Sequence, residues 1–169
     1  PFQIYDTATR RRLMNPSSMT RGTFTASPNG LLLNGRTLNS NAIEIVPQHS
    51  PAIRVFATAA TSADAEYRGN MRVISLGQNV RLVNVLKMDD YLYSVVGKET
   101  YSARWHIESQ KAQAIAARSY ALVEALSGQN GRDFDVYDSP GRSQAYPGTS
   151  SETDKSRRAA DETSGLVLT

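Results

Sequence analysis

Glu99 is the carboxylate whose setting could do chemistry. It follows Gly97 and Lys98, where a short helix would stop, and it precedes a connector that carries Tyr101 and Trp105. A carboxyl held there would stand at the wall of a groove, with two rings as faces for stacking sugars. One carboxyl in such a place can give a proton and later take one back. A Glu beside a Lys is most often a solvated surface charge, and on residue type and spacing alone that reading is favoured over catalysis. Other chemistries are easier to exclude. With no cysteine there is neither a thiolate nucleophile nor a disulfide framework. Two histidines, His49 and His106, lie 57 positions apart, so no metal is expected, and His106 reads as a helix-start or surface residue. The chain has no Gly-x-Gly-x-x-Gly, no phosphate-binding loop and no Gly-x-Ser-x-Gly. No cofactor is expected.

The elements that would position Glu99 follow from composition and pattern. At 169 residues, 40% hydrophobic and 21% charged, the chain has the make-up of one ordinary soluble domain with a sizeable core. No window approaches the roughly 20 apolar residues of a membrane span. The first residue is Pro1, with no signal-like apolar stretch behind it, which reads as an export signal already removed. Lys plus Arg at 19 against Asp plus Glu at 16 gives a net charge of +3, too weak a bias to imply nucleic acid. Arg10, Arg11, Arg12, Arg21 and Arg36 precede the second acidic residue, Glu44. No aromatic residues interleave with them, so they read as a solvated basic face rather than a polyanion site.

Up to about Arg81 short apolar runs alternate with turn chemistry such as Ser27-Pro28-Asn29-Gly30 and Asn34-Gly35. Strands are predicted at 31–33, 42–46, 53–57 and 71–76, with a well buried one at 80–86 and a small-residue loop at 57–65. Asp89 or Asp90 would then cap a short helix carrying Leu92, Val95 and Val96 and ending at Gly97. Residues 107–127 lack Gly and Pro and predict the longest helix, stopped by Gly128. It would be central and largely buried, with Ile115, Leu122 and Leu126 on one stripe. Ala114, Ala117, Ala121 and Ala125 would give a smooth side for close packing, with strands against it. A strand at 134–137, a loop at 141–148 and a helix within 151–163 complete the reading.

Several segments occur together in a recognisable order. They are Tyr67-Arg68-Gly69, Val83-Asn84, Asp90-Tyr91-Leu92, Val95-Val96, Glu99, Trp105 and the run from Lys111 to Ala121. After them come Phe134-Asp135-Val136, Asp138, Ser143-Gln144, Tyr146, Gly148, Ala160 and Thr163-Ser164-Gly165. This series resembles the SpoIID/LytB family, the stage II sporulation protein D and amidase-enhancer group, and the Lys-Ala-Gln-Ala-x-Ala-Ala-Arg-Ser-Tyr-Ala helix is its most specific part. The resemblance covers about 100 residues and implies one SpoIID-like domain over 1–169. Residues 1–66 would be a β-rich portion and 67–169 the family core, without the C-terminal part of the family domain. The fold implied is α+β, with short strands of the N-terminal half packed around one long alanine-rich helix.

The resemblance further implies an extracytoplasmic protein, in the periplasm or cell wall, acting on peptidoglycan glycan strands. Its active members are lytic transglycosylases, and their catalytic glutamate falls at Glu99, expected to line the deepest groove beside Gln144 or Tyr146. Tyr101, Trp105, Arg118, Gln144 and Tyr146 become substrate-binding candidates, and a buried Arg118 paired with a carboxylate is an equal alternative. A second function reading is a non-catalytic peptidoglycan-binding module that recruits or stimulates a cell-wall amidase. Two departures bear on the groove. Gly97 stands where the family has proline, and Glu99-Thr100-Tyr101 replaces its Glu-Met-Pro. Relatives that hold zinc do so through Cys and His near the Ser-Gln-x-Tyr segment, where this chain has neither.

Overall fold

Alternating apolar residues build most of the strands in this protein. In the computed structural model, which describes every residue except 15–18, 57–62, 101–103, 129 and 132, the chain forms two compact units. The first is Pro1–Ile53 with Arg68–Val85, and the second is Arg54–Tyr67 with Leu86–Thr169. Antiparallel sheets and three helices make the fold α+β.

The first unit is all β. Its larger sheet is antiparallel, in the order β10-β9-β6-β1-β2, from β1 (Phe2–Asp6), β2 (Arg12–Met14), β6 (Ala42–Pro47), β9 (Asn70–Leu76) and β10 (Asn79–Val85). Register puts Ile4 opposite Ile45 and Ile45 opposite Met71. One row of side chains therefore crosses three strands and is buried along its length. A smaller sheet, β3-β4-β5, comprises Phe24–Ser27, Gly30–Leu33 and Arg36–Thr37. Asn34 and Gly35 make the β4–β5 turn with φ of 50° and 80°, the paired left-handed conformation that the Asn-Gly dipeptide favours. Two further strands, β7 (Ala52–Val55) and β8 (Ala65–Arg68), pair with each other. The run 80–86, expected to be well buried, is instead an edge strand. It has a neighbour on one side only, and Val80 and Leu82 are exposed.

The second unit is built on helices α1 (Met88–Glu99), α2 (Ile107–Ser127) and α3 (Asp154–Glu162). The expected helix at 107–127 is present to the residue. His106 caps it by accepting the Glu108 N–H, and Gly128 ends it in the left-handed conformation. Its alanine side is the buried one: Ala114, Ala117 and Ala121 pack with Leu92, Val95, Val96 and Ala160. The elements against that side are α1 and α3 rather than strands. Small side chains let helix axes approach closely, and helices supplied by the same half of the chain fill the space. The other stripe is not buried. Leu122 and Leu126 face solvent, so α2 is covered on one side only.

Gly97 does not stop α1. The helix runs through it to Glu99, and Thr100 closes it with its N–H and hydroxyl both donated to the Val96 carbonyl. The reason for glycine is steric. A Cβ there would lie 2.0 Å from the Ser151 carbonyl oxygen, in a 3-10 segment (Gly148–Ser151) pressed on the helix. Ser94 secures that contact by donating to the Gly148 carbonyl, and Ser151 donates back to the Ser94 carbonyl. The N-cap of α1 is Lys87 without a side-chain bond, and Asp89 and Asp90 lie in the first turn. Residues 134–137 are not a strand. Phe134 and Tyr137 meet edge to face at 4.8 Å, on a backbone tied by the Tyr137 N–H to Ser143 Oγ. An extended strand would send residues three apart to opposite faces. Of the expected loop at 57–65, residues 57–62 lie outside the described part.

Candidate active site

The two further helical residues after Gly97 decide where the glutamate sits. Glu99 becomes the last helical residue, half-buried, with its carboxylate reaching two donors outside its own helix. Gln113 Nε2 on α2 donates to Oε2 at 2.8 Å, and the Ala145 backbone N–H donates to Oε1 at 3.3 Å. The carboxylate is thus held in a fixed orientation between α2 and the 144–146 segment. Among the described residues Lys98 forms no ion pair with it.

A tyrosine cluster lies alongside. Tyr91, two helical turns before Glu99 on α1, donates from its hydroxyl to Gln144 Oε1 at 3.0 Å. The Tyr146 ring sits between those of Tyr91 and Tyr67, with centroids 5.1 and 6.0 Å away. Burial pushes the Tyr91 hydroxyl well above its ordinary range, and the Glu99 charge adds to that. Burial does the same to Tyr146. Both phenols are therefore neutral hydrogen-bonding groups at any physiological pH. Gly148, with φ of 76°, lets the Glu66 carbonyl come within 2.1 Å of where a Cβ would stand, closing β8 onto this segment.

Of the residues singled out from the sequence, the structure brings Glu99, Gln144 and Tyr146 together. Gln144 and Tyr146 are 6% and 7% exposed, so they form the bed under the carboxylate rather than an open face. Trp105 is 41% exposed just ahead of α2 and accepts Lys155 Nζ on its carbonyl. Among the described residues no hydrogen bond or ring contact joins it to the cluster. Tyr101 lies outside the described part of the chain.

Arg118 is 4% exposed, and its donors are turned inward. Nη1 reaches the Leu166 carbonyl at 3.0 Å, while Nη2 reaches Asp89 Oδ1 and the Ala160 carbonyl, each at 3.1 Å. Ser164 completes the arrangement by donating to Asp89 Oδ2. Arg118 therefore ties α2 to the start of α1 and the end of α3, the paired and buried state that the sequence left open.

Three participants were not singled out as site residues: Gln113, Tyr91 and Tyr67. Gln113 had a legible signal, since it is an amide beside an otherwise apolar alanine face, and such a residue marks where the helix meets a polar group. The large open cleft seen among the described residues, about 740 Å³, belongs to the first unit and contains none of the Glu99 cluster. Among the described residues no group of three or more His, Asp or Glu side chains is placed to hold a metal ion.

The site of this α+β protein is one oriented carboxylate, Glu99, beside buried neutral tyrosines that also feel the charges of Asp90, Asp138 and Glu152. The chain belongs to the SpoIID family: the family description "stage II sporulation protein" matches residues 77–169, which include every member of this cluster except Tyr67. Membership points to a role at the cell wall. The chain is also similar to an uncharacterized protein of Brachyspira hyodysenteriae, 36% identical over 98 residues, or 58% of this chain. That match is 26% of the relative, so the chain spans about a quarter of the relative's length. No solved structure matches it. No described helix is long and apolar enough to cross a membrane.

Proposed function

We propose that this protein is an extracytoplasmic lytic transglycosylase that cleaves the glycosidic bond between N-acetylmuramic acid and N-acetylglucosamine in peptidoglycan, with Glu99 as the catalytic acid and base. The observation that carries the reading is the Glu99 carboxylate, half-buried at the end of α1 and oriented by Gln113 and the Ala145 N–H.

The chemistry needs one carboxyl. Protonated Glu99 gives its proton to the glycosidic oxygen as the C1–O bond breaks. The resulting carboxylate then takes the proton of the muramic C6 hydroxyl as that oxygen bonds to C1. The product is a 1,6-anhydro end, no water is consumed, and Glu99 returns to its protonated state. A hydrolase would need a second carboxyl roughly 5 to 9.5 Å away. Asp89, one of the two residues available to serve, lies in the first turn of α1 while Glu99 is its last residue, a rise of about 15 Å along the helix, and it is taken up in the Arg118 brace. Gln144 and Tyr146 act here by positioning the 144–146 backbone, and the exposed Trp105 is the sugar-stacking residue. Arg118 holds the helices together.

The test is to incubate the chain with glycan strands, with and without stem peptides, and to measure anhydromuramic ends by mass spectrometry. Glu99→Gln keeps shape and hydrogen bonding but has no proton to give, and should lower the rate by at least about 10² to 10⁴ while glycan binding survives. Full activity in that variant refutes the assignment. The exposed apolar stripe of Leu122, Val123 and Leu126 on α2 favours one other reading, a module that binds peptidoglycan and recruits an amidase. An inactive chain that binds glycan and stimulates an amidase would establish it.

A further inference from the structure

The first unit contains a cleft that glycan cleavage leaves unused. An open cleft of about 740 Å³ lies between the β1–β2 turn with β2 on one side and β5 with the residues after it on the other. Two of the N-terminal arginines, Arg11 and Arg36, line it. Arg10, by contrast, is held by Glu44 at 3.0 Å. Among the described residues neither Arg11 nor Arg36 has an acidic partner within ion-pair distance. Two exposed guanidinium groups on one concave surface make a receptor for an oxyanion, because their forked N–H donors match its geometry.

The two walls are tied together. Asp6 accepts the Thr9 N–H and hydroxyl on one oxygen and the Ser40 hydroxyl on the other, which links the β1–β2 turn to the segment after β5. Arg10 and Asn39, both beside the cleft, have φ of 58° and 52°. For an arginine this backbone costs on the order of 1 kcal/mol, and such cost is concentrated where a local shape is required. A preformed site binds without the expense of ordering its loops.

The lining also selects among oxyanions. Two arginines against Asp6 leave a formal charge of only +1, and no aromatic ring is present. A dense phosphate polymer or a nucleic acid, which wants many cations and stacking faces, is poorly matched. Leu13, Met14 and Leu38 offer a small apolar surface. β2 and β5 are the edge strands of their sheets, so an extended chain can pair with them through its backbone. We propose that this cleft binds a short extended peptide bearing a free carboxylate, with Arg11 and Arg36 on the carboxylate and a small apolar side chain against Leu13 and Leu38. The proposal does not depend on Glu99, and its test reads binding rather than cleavage.

The probe is acetyl-lysyl-alanyl-alanine, whose terminal carboxylate faces the arginines and whose ammonium can face Asp6. The intact chain is titrated with this acid and with its C-terminal amide while backbone amide and Met14 methyl signals are followed by NMR. Saturable shifts at Leu13, Met14 and Asn39 are expected, with the amide at least about tenfold weaker, as loss of a charge-assisted hydrogen bond requires. Arg11→Gln and Arg36→Gln, both exposed, should each weaken the acid by a similar factor with unfolding temperature unchanged, and Glu99→Gln should leave binding unaltered. Absence of saturable shifts at millimolar peptide, or equal binding of acid and amide, overturns the proposal. Tighter binding of a DNA oligonucleotide or polyphosphate at the same signals also overturns it and makes the cleft a polyanion site.

Discussion

Gly97→Ala should destabilise the second unit although alanine is the better helix former. In an open helix this exchange gains about 1 kcal/mol. Here the new Cβ would stand 2.0 Å from the Ser151 carbonyl oxygen, 2.9 Å from its carbon and 3.2 Å from Ser156 Oγ. The first two are backbone, so no side-chain rotation relieves the clash, and the 3-10 segment must retreat by about 1 Å or more to reach tolerable contact. That retreat stretches two hydrogen bonds, Ser94 to the Gly148 carbonyl at 2.7 Å and Ser151 to the Ser94 carbonyl at 2.9 Å. At about 1 kcal/mol each, their loss outweighs the propensity gain and leaves a net cost of ~2 to 4 kcal/mol once overpacking is included. The same movement pulls on residues 144–148, and with them on the Ala145 N–H that orients Glu99. Hydrogen exchange of α1 and α3 amides resolves the second unit from the first. Protection should fall by the equivalent free energy there and stay unchanged in β6 and β9. Cleavage should fall with it. An alanine variant as stable as the parent would show that Gly97 is not required for this contact and refute the reasoning.

Three other outcomes are expected. Gln113→Ala removes one of the two donors that orient Glu99 and should lower kcat by about tenfold with KM unchanged, measured on glycan strands; a change in KM alone would assign Gln113 to substrate instead. Arg118→Ala leaves the Leu166 and Ala160 carbonyls and Asp89 without their donor and should cost about 3 kcal/mol in urea unfolding, reduced toward 2 by solvent around Asp89; less than 1 kcal/mol would mean the brace is idle. Asp6, held down to about 2 by Ser40 and Thr9 against an ordinary value of 3.8, stabilises the fold above pH 4 and loses that contribution as pH falls toward 2. Asp6→Asn should therefore flatten the acid limb of the stability curve between pH 4 and 2, and an unchanged limb would show that the Ser40 and Thr9 bonds contribute nothing.

Features that depend on local chemistry were legible in the sequence. Helix α2 was legible from end to end because its alanine-rich interior, the His106 start and the Gly128 stop all act within a few residues of one another. The cores of β4, β6 and β9 were legible from apolar runs bounded by turn residues, and the SpoIID family from the spacing of its motifs. Packing alone fixes where distant segments approach. Gly97 looked like a helix stop because glycine usually ends helices; Ser151, 54 residues further on, is what requires it, and no local rule carries that information. The run 80–86 is apolar enough for a central strand, but sheet order made it an edge. The alanine stripe announced close packing, but the neighbours, expected to be strands, proved to be α1 and α3. Glu99 could be picked out, yet its partners Gln113 and the Ala145 N–H come from 14 and 46 positions away. The basic N-terminal segment became part of a cleft only when two hairpins, joined through Asp6 and Ser40, set Arg11 and Arg36 on its facing sides. Periodicity and caps act over one or two turns of chain, whereas a site is a coincidence of positions that packing alone brings together.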